Sequence, residues 1–133
     1  KWKGEALVVD KWLRAQSTSH LPDALSRVQA LLTHEAFSVR NPNKVYALIG
    51  GFGYGNHVRF HAADGSGYAF MADRVIELDA LNPQVASRMA RTFDRWKKFD
   101  PARQAQARAA LERIRDVHGL SKDVAEIVTK SLA

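Results

Sequence analysis

Histidines, carboxylates and a crowd of glycines are the residues here that could do chemistry, and their spacing decides which chemistry is open. His34-Glu35 begins like the zinc signature H-E-x-x-H, but Ser38 stands where the second histidine ligand is required. His57 and His61 are four apart with Asp64 following, yet a metal needs three or four converging ligands, and "GNHVRFHAADG" reads as a loop. Histidines bonded to backbone or water in a long turn are the plainer reading, with no metal and no cofactor in this chain. Six of the eight glycines, at 50, 51, 53, 55, 65 and 67, fall within "IGGFGYGNHVRFHAADGSGYAF". Glycines crowded like this can cradle a phosphate with backbone N–H groups. The G-x-x-x-x-G-K-[ST] loop is absent, however, and Gly51-Phe52-Gly53-Tyr54-Gly55 lacks the last spacing of G-x-G-x-x-G. Both loops follow a strand, whereas "KVYALIGGF" reads as a helix. Ser26, Ser38, Ser66, Ser87 and Ser131 lie in no G-x-S-x-G context, so no nucleophile is named. Asp73, Glu77 and Asp79, on a helix beside Arg74, read as a solvated face. No catalytic residue emerges from motifs.

The elements that must position these residues follow from proline placement and apolar period. Each of the four prolines sits where a helix would start: Leu21-Pro22, Asn41-Pro42, Asn82-Pro83 and Asp100-Pro101. Proline suits the first helical position, and Asn or Asp before it can cap the free donors, so three of these are cap-plus-proline signals. Stripes at three- and four-residue steps fill the intervals. They are Trp2, Ala6, Val9 and Leu13 (with Trp12 beside them); Leu21, Leu25, Val28 and Leu32; Val45, Leu48, Ile49 and Phe52; and Tyr68, Met71, Val75 and Leu78. Val85, Met89, Phe93 and Trp96 predict one face of a longer helix ended by Asp100-Pro101. Ala107, Ala110, Leu111, Ile114 and Val117 predict another, stopped by Gly119 as its C-terminal cap. Ser121 can cap a last helix carrying Val124, Ile127, Val128 and Leu132. In the glycine-rich stretch, Gly50 and Gly51 would let the first helix pack closely and end. Asp64 or Ser66 would then cap the next, with Gly65 and Gly67 easing the turn. No segment alternates with period two. The fold class is all-α, about seven amphipathic antiparallel helices in a bundle or an irregular superhelical stack of pairs (an α-α superhelix).

The chain's 133 residues suit a single domain, 1–133, and no apolar run reaches the roughly 18 residues that cross a bilayer. Absence of cysteine removes disulfides, thiolate metal sites and a cysteine nucleophile. Lys1 opens the sequence with what looks like a helix in progress, which suggests a fragment from the C-terminal end of something longer. Nine basic residues against three acidic ones from Arg88 to Arg115 carry the whole net charge of +6. Such a field could attract nucleic acid, an acidic partner or a carboxylate; a solvated face on two long helices is the plainer account.

Several stretches in order carry a resemblance: "ALVVDKWLRAQ", "RNPNKVYALIGGF", "FHAADGSGYAFMADRVIELDALNPQVASRM", "FDPARQAQARAALERI" and the closing "IVTKSLA". Together they resemble the C-terminal end of bacterial aminopeptidase N, the zinc-dependent, thermolysin-like alanyl aminopeptidase family. "GGFGYGNHV" departs from the family's pattern, while "FHAADGSGY" fits it. The resemblance implies a cytoplasmic multidomain parent whose catalytic domain holds zinc through H-E-x-x-H and the substrate amine through G-x-M-E-N, neither of which is in this chain. This chain would be the non-catalytic helical cap that encloses the active-site cavity and gates peptide access. Its partners would be the parent's other domains and peptide substrates, with neither nucleic acid nor membrane. The resemblance also places Gln84 and Arg88, in "NPQVASR", on the substrate channel. Four apart at a helix start, they share a face, and Arg88 offers a two-pronged donor to a peptide carboxylate. An interhelical salt bridge from Arg88 to Asp79 or Asp94 is the structural alternative. For the chain as a whole, the alternative function is a basic all-α nucleic-acid-binding module. Against that stands the lack of a helix-turn-helix pattern or of stacking aromatics among the basic residues.

Overall fold

A computed structural model of the protein describes residues 6–19 and 21–133. Trp2 and the helix expected at the first residues lie outside them. Among the described residues there are helices and turns and no strand, as the periodicity predicts. The chain divides into two compact units, Lys1–Phe60 and His61–Ala133.

In the first unit, α1 (Ala6–Ser17) packs against α2 (Ala24–Leu31) and against a helix begun by the Asn41-Pro42 signal. Pro22 does not start α2. It occupies a turn in which the Ala24 N–H donates to the Leu21 carbonyl, one step ahead of the helix. The Asn41 side chain accepts from the Asn43 N–H at 3.0 Å, with Pro42 at the first helical position. From there the chain runs as α3 (Pro42–Val45), a wide π-helical turn (Tyr46–Gly50) and α4 (Gly51–Gly55). The expectation that Gly50 and Gly51 end this helix is therefore overturned. Gly51 is required by packing: a Cβ there would lie 2.2 Å from the Ser17 hydroxyl oxygen of α1. The Ser17 hydroxyl in turn lies 3.0 Å from the Arg14 carbonyl and 3.3 Å from the Ala47 carbonyl inside the π turn. The helix stops at fully buried Asn56, whose side-chain N–H groups donate to the Ser17 and Ser19 carbonyls at 2.9 and 2.6 Å. One side chain thus satisfies carbonyls freed at the end of α1 and orients α5 (His57–Phe60). Part of the expected loop is this short helix. Leu13, Val28, Val45, Leu48, Ile49, Phe52 and Phe60 make the unit's core.

In the second unit, α6 (Ser66–Leu81) packs on α7 (Pro83–Ala90) and α8 (Pro101–Arg115), and α9 (Lys122–Leu132) packs on α7 and α8. Gly65 starts α6 at φ 77, a left-handed conformation that glycine adopts without Cβ strain. Gly65, not Asp64 or Ser66 as expected, holds the N-cap position, with no side-chain cap bond; the Asp64 carboxylate closes the turn just ahead of it, taking the Ser66 N–H at 2.9 Å and its hydroxyl at 2.6 Å. Asp100 and Ser121 cap α8 and α9 through the Arg103 and Val124 N–H groups. Val85, Met89, Phe93 and Trp96 are buried as expected, but no single helix carries them. After Ala90 the backbone tightens into 3-10 turns at Arg91–Phe93 and Trp96–Lys98. The buried Thr92 hydroxyl donates to the Met89 carbonyl at 2.6 Å, and the Trp96 indole N–H reaches the Ser131 carbonyl at 3.0 Å, a placement an unbroken α-helix would change. Gly119 (φ 81) is not the cap of α8 either. The helix ends at Arg115, and Gly119 serves the following turn, closed by the Leu120 N–H on the Val117 carbonyl.

Candidate functional site

Asn82 is the hinge on which the candidate site is built. It is the single residue between α6 and α7, extended at φ −157, with its N–H on the Leu78 carbonyl at 2.7 Å. Its side-chain oxygen accepts from the Gln84 and Val85 N–H groups at 3.2 and 3.4 Å, so the first turn of α7 is held in place. Val85, Ala86, Met89 and Ala90 take the buried face. Gln84 and Arg88 are left exposed, one turn apart on the outer face. Arg91, three residues further, continues that strip.

At its far end the strip runs into a cleft of about 320 Å³ lined by Arg91, Asp94, Glu126, Ile127, Lys130 and Ser131. Two cations face two carboxylates there. Partial burial raises the Asp94 carboxyl above its ordinary value, and Arg91 beside it pulls the other way. Sequence reasoning missed this cleft because four of its six lining residues come from α9, and no spacing within α7 announces it. Asp79, offered as a partner for Arg88, is committed elsewhere. Its carboxylate takes both the Ser121 N–H, at 2.9 Å, and the Ser121 hydroxyl, tying α6 to the start of α9. Asp73 pairs with Arg113 of α8 and Glu77 with Arg74, both carboxylates about half exposed, so the solvated-face reading holds for these two but not for Asp79.

His61 is a packed residue, 6% exposed. Its ring stacks on Phe99 at 3.9 Å, and Nδ1 lies 2.6 Å from the Tyr68 hydroxyl. Its carbonyl accepts from Arg103 at 2.6 Å. Burial pushes the Tyr68 phenol up to about 12. Hydrogen bonds from Ser66 hold Asp64 below the usual carboxylate range. His61 thus bonds to a side chain where backbone or water was expected. Among the described residues no group of three or more His, Asp or Glu could hold a metal ion. Within the basic stretch, Arg103, Arg113 and Arg115 pair with Asp100, Asp73 and Asp116, and Lys97 and Arg108 lie over the Trp96 ring. The ion pairs lie at the surface, a third to two thirds exposed, and offset part of the positive field without burying it. No described helix is long and apolar enough to cross a membrane.

The profile of the family described as "Domain of unknown function (DUF3458_C) ARM repeats" matches residues 1–133. Aminopeptidase N of Escherichia coli (strain K12) is 44% identical over 133 residues, which are all of this chain and 15% of that protein. Aminopeptidase N of Caulobacter vibrioides is 43% identical over 131 residues, 98% of this chain and again 15% of the relative. The solved structure of Legionella pneumophila aminopeptidase A in complex with aspartic acid superposes with a TM-score of 0.92 at 38% identity, over 98% of this chain and 15% of that one. The chain therefore spans about 15% of the length of the proteins it matches. Its resemblance to aminopeptidase N, first carried by stretches such as "DGSGY" and "NPQVASR", holds along its whole length, and the chain belongs to the DUF3458_C family of ARM-repeat domains.

Proposed function

We propose that this chain is the C-terminal, non-catalytic part of a zinc-dependent aminopeptidase of the aminopeptidase N type, working in the cytoplasm. As one all-helical domain it covers the cavity in which the rest of the polypeptide cleaves N-terminal residues, and it limits which peptides enter. Whole-chain identity of 44% to an aminopeptidase N carries this reading. Zinc and the hydrolytic residues belong to the remainder of the parent. Gln84 and Arg88 face the peptide channel. The Gln84 amide can both donate to and accept from a peptide backbone, and the Arg88 fork can take a terminal carboxylate. Exposure of both side chains on the outer face of α7, Gln84 in its capped first turn and Arg88 one turn on, supports this role.

The test is kinetic, in the full-length parent. Arg88→Ala should raise KM for tetrapeptides with a free carboxylate by about tenfold, the equivalent of one charge-assisted hydrogen bond. KM for a single-residue amide should hardly change. Equal effects on both substrates would make Arg88 a structural residue. Measurable hydrolysis of Ala- or Leu-p-nitroanilide by the 133-residue chain alone would overturn the non-catalytic assignment.

A further inference from the structure

The outer side of α1 is unlike that of any other helix described. Beneath it, Val9 and Leu13 are buried, with hydrogen-bonded Ser17 below them, and this is the one inward stripe an amphipathic helix needs. Yet Leu7 is 77% exposed, Val8 42% and Trp12 41%, and Ala15 is exposed as well. At about 100° per residue these four share the outward arc, so α1 is apolar on two sides. Lys11 lies within that arc and Arg14 at its edge, both exposed.

Repeat architecture says what such a face is for. Each helical unit of a repeat stack covers its neighbour, and an outer face stays apolar only where another unit lies on it; a terminal unit carries a polar cap instead. The matched family is one of ARM repeats, and this chain accounts for only 15% of the length of its relatives. We propose that the Leu7–Val8–Trp12–Ala15 face is the docking surface for a further helical repeat of the same polypeptide. That repeat presents an apolar ridge with carboxylates at its margin, opposite Lys11 and Arg14. The inference rests on the reading of the chain as part of a longer aminopeptidase, and it adds the surface by which the part is joined.

Carbene footprinting with mass spectrometry tests it on the full-length parent and on the 133-residue chain at several concentrations. Labelling of Leu7, Val8 and Trp12 should fall several-fold in the full-length protein. Equal labelling in the two proteins overturns the proposal. A fall confined to concentrated samples of the shorter chain, together with dimer sedimentation, overturns it in favour of a second copy as the occupant. Leu7→Glu gives an independent reading, since Leu7 is the most exposed residue of the face whereas Trp12 also packs on the His34 ring of this chain. It should lower the melting temperature of the full-length protein and leave that of the shorter chain unchanged; an equal fall in both would make the face part of the chain's own core. None of these readouts needs catalysis, so they stand or fall separately from the Arg88 kinetics.

Discussion

Two helices of this chain begin with the same two residues and end for opposite reasons. Asn41-Pro42 and Asn82-Pro83 both place proline at the first helical position and an asparagine oxygen on the N–H two residues on. After the first start come four glycines at positions 50 to 55, and the chain nevertheless stays helical to Gly55. After the second come good helix formers, and the helix tightens and stops at Ala90. Helix starts here are local, written in a cap and a proline. Helix ends are set by what lies across the interface: Ser17 and the carbonyls of α1 in one case, Thr92 and the Trp96–Ser131 bond in the other.

The largest effect should come from filling the glycine contact. Gly51→Val places a branched side chain where even a Cβ would stand 2.2 Å from the Ser17 oxygen, and unfolding titration should show a loss of about 3 kcal/mol or more. Relief is expected from the other side. In a Ser17→Ala background only the Cβ of residue 17 remains, 3.4 Å away, so adding Gly51→Ala should cost less than about 1 kcal/mol beyond Ser17→Ala alone. If the double variant is as unstable as Gly51→Val, the close approach of these helices is not what keeps position 51 a glycine.

Cap removal should be smaller and should rank by the number of donors lost. Asn41→Ala leaves one N–H without its side-chain acceptor, and about 1 kcal/mol is expected. Asn82→Ala leaves two, and it loosens the one-residue joint that aims Gln84 and Arg88. A loss of about 1.5 kcal/mol is expected there, with Asn82→Asp close to neutral. In the full-length parent, Asn82→Ala should also raise KM for peptides more than for single-residue amides. Identical stability losses at 41 and 82 would break the idea that shared starts differ only in what they carry.

These contrasts also mark what could be read without a structure. The Asn-Pro and Asp-Pro starts, the Ser121 cap and the buried sets Tyr68/Met71/Val75/Leu78 and Val124/Val128 are properties of neighbours within a turn or two, so spacing and residue type reveal them. The shared outer face of Gln84 and Arg88 is legible for the same reason, since Val85 and Met89 define the inner one. The helix through Gly50 and Gly51 is not legible, because its cause sits more than thirty residues earlier in α1. The cleft beyond Arg91 is hidden likewise, since Glu126 and Lys130 reach it only after α8 has turned the chain back.

The smallest predicted effect is the most discriminating. Gly55→Ala meets only the Thr18 methyl, at 2.9 Å, on a half-buried side chain whose hydroxyl bonds the Arg14 carbonyl, so the contact must open by a few tenths of an ångström. Against that small displacement, alanine regains up to about 1 kcal/mol of helix propensity over glycine. The two nearly cancel, and the variant should lie within about 0.5 kcal/mol of the parent chain by chemical denaturation. Gly51 and Gly55 are one helical turn apart, face the same helix α1 and look alike in sequence, yet alanine is opposed at one by a buried hydroxyl 2.2 Å away and at the other by a side-chain methyl 2.9 Å away. A loss of several kcal/mol at Gly55 would mean that this helix tolerates no side chain anywhere along α1, and that its glycines serve close packing as a group; near-neutrality would confine that demand to the single contact with Ser17.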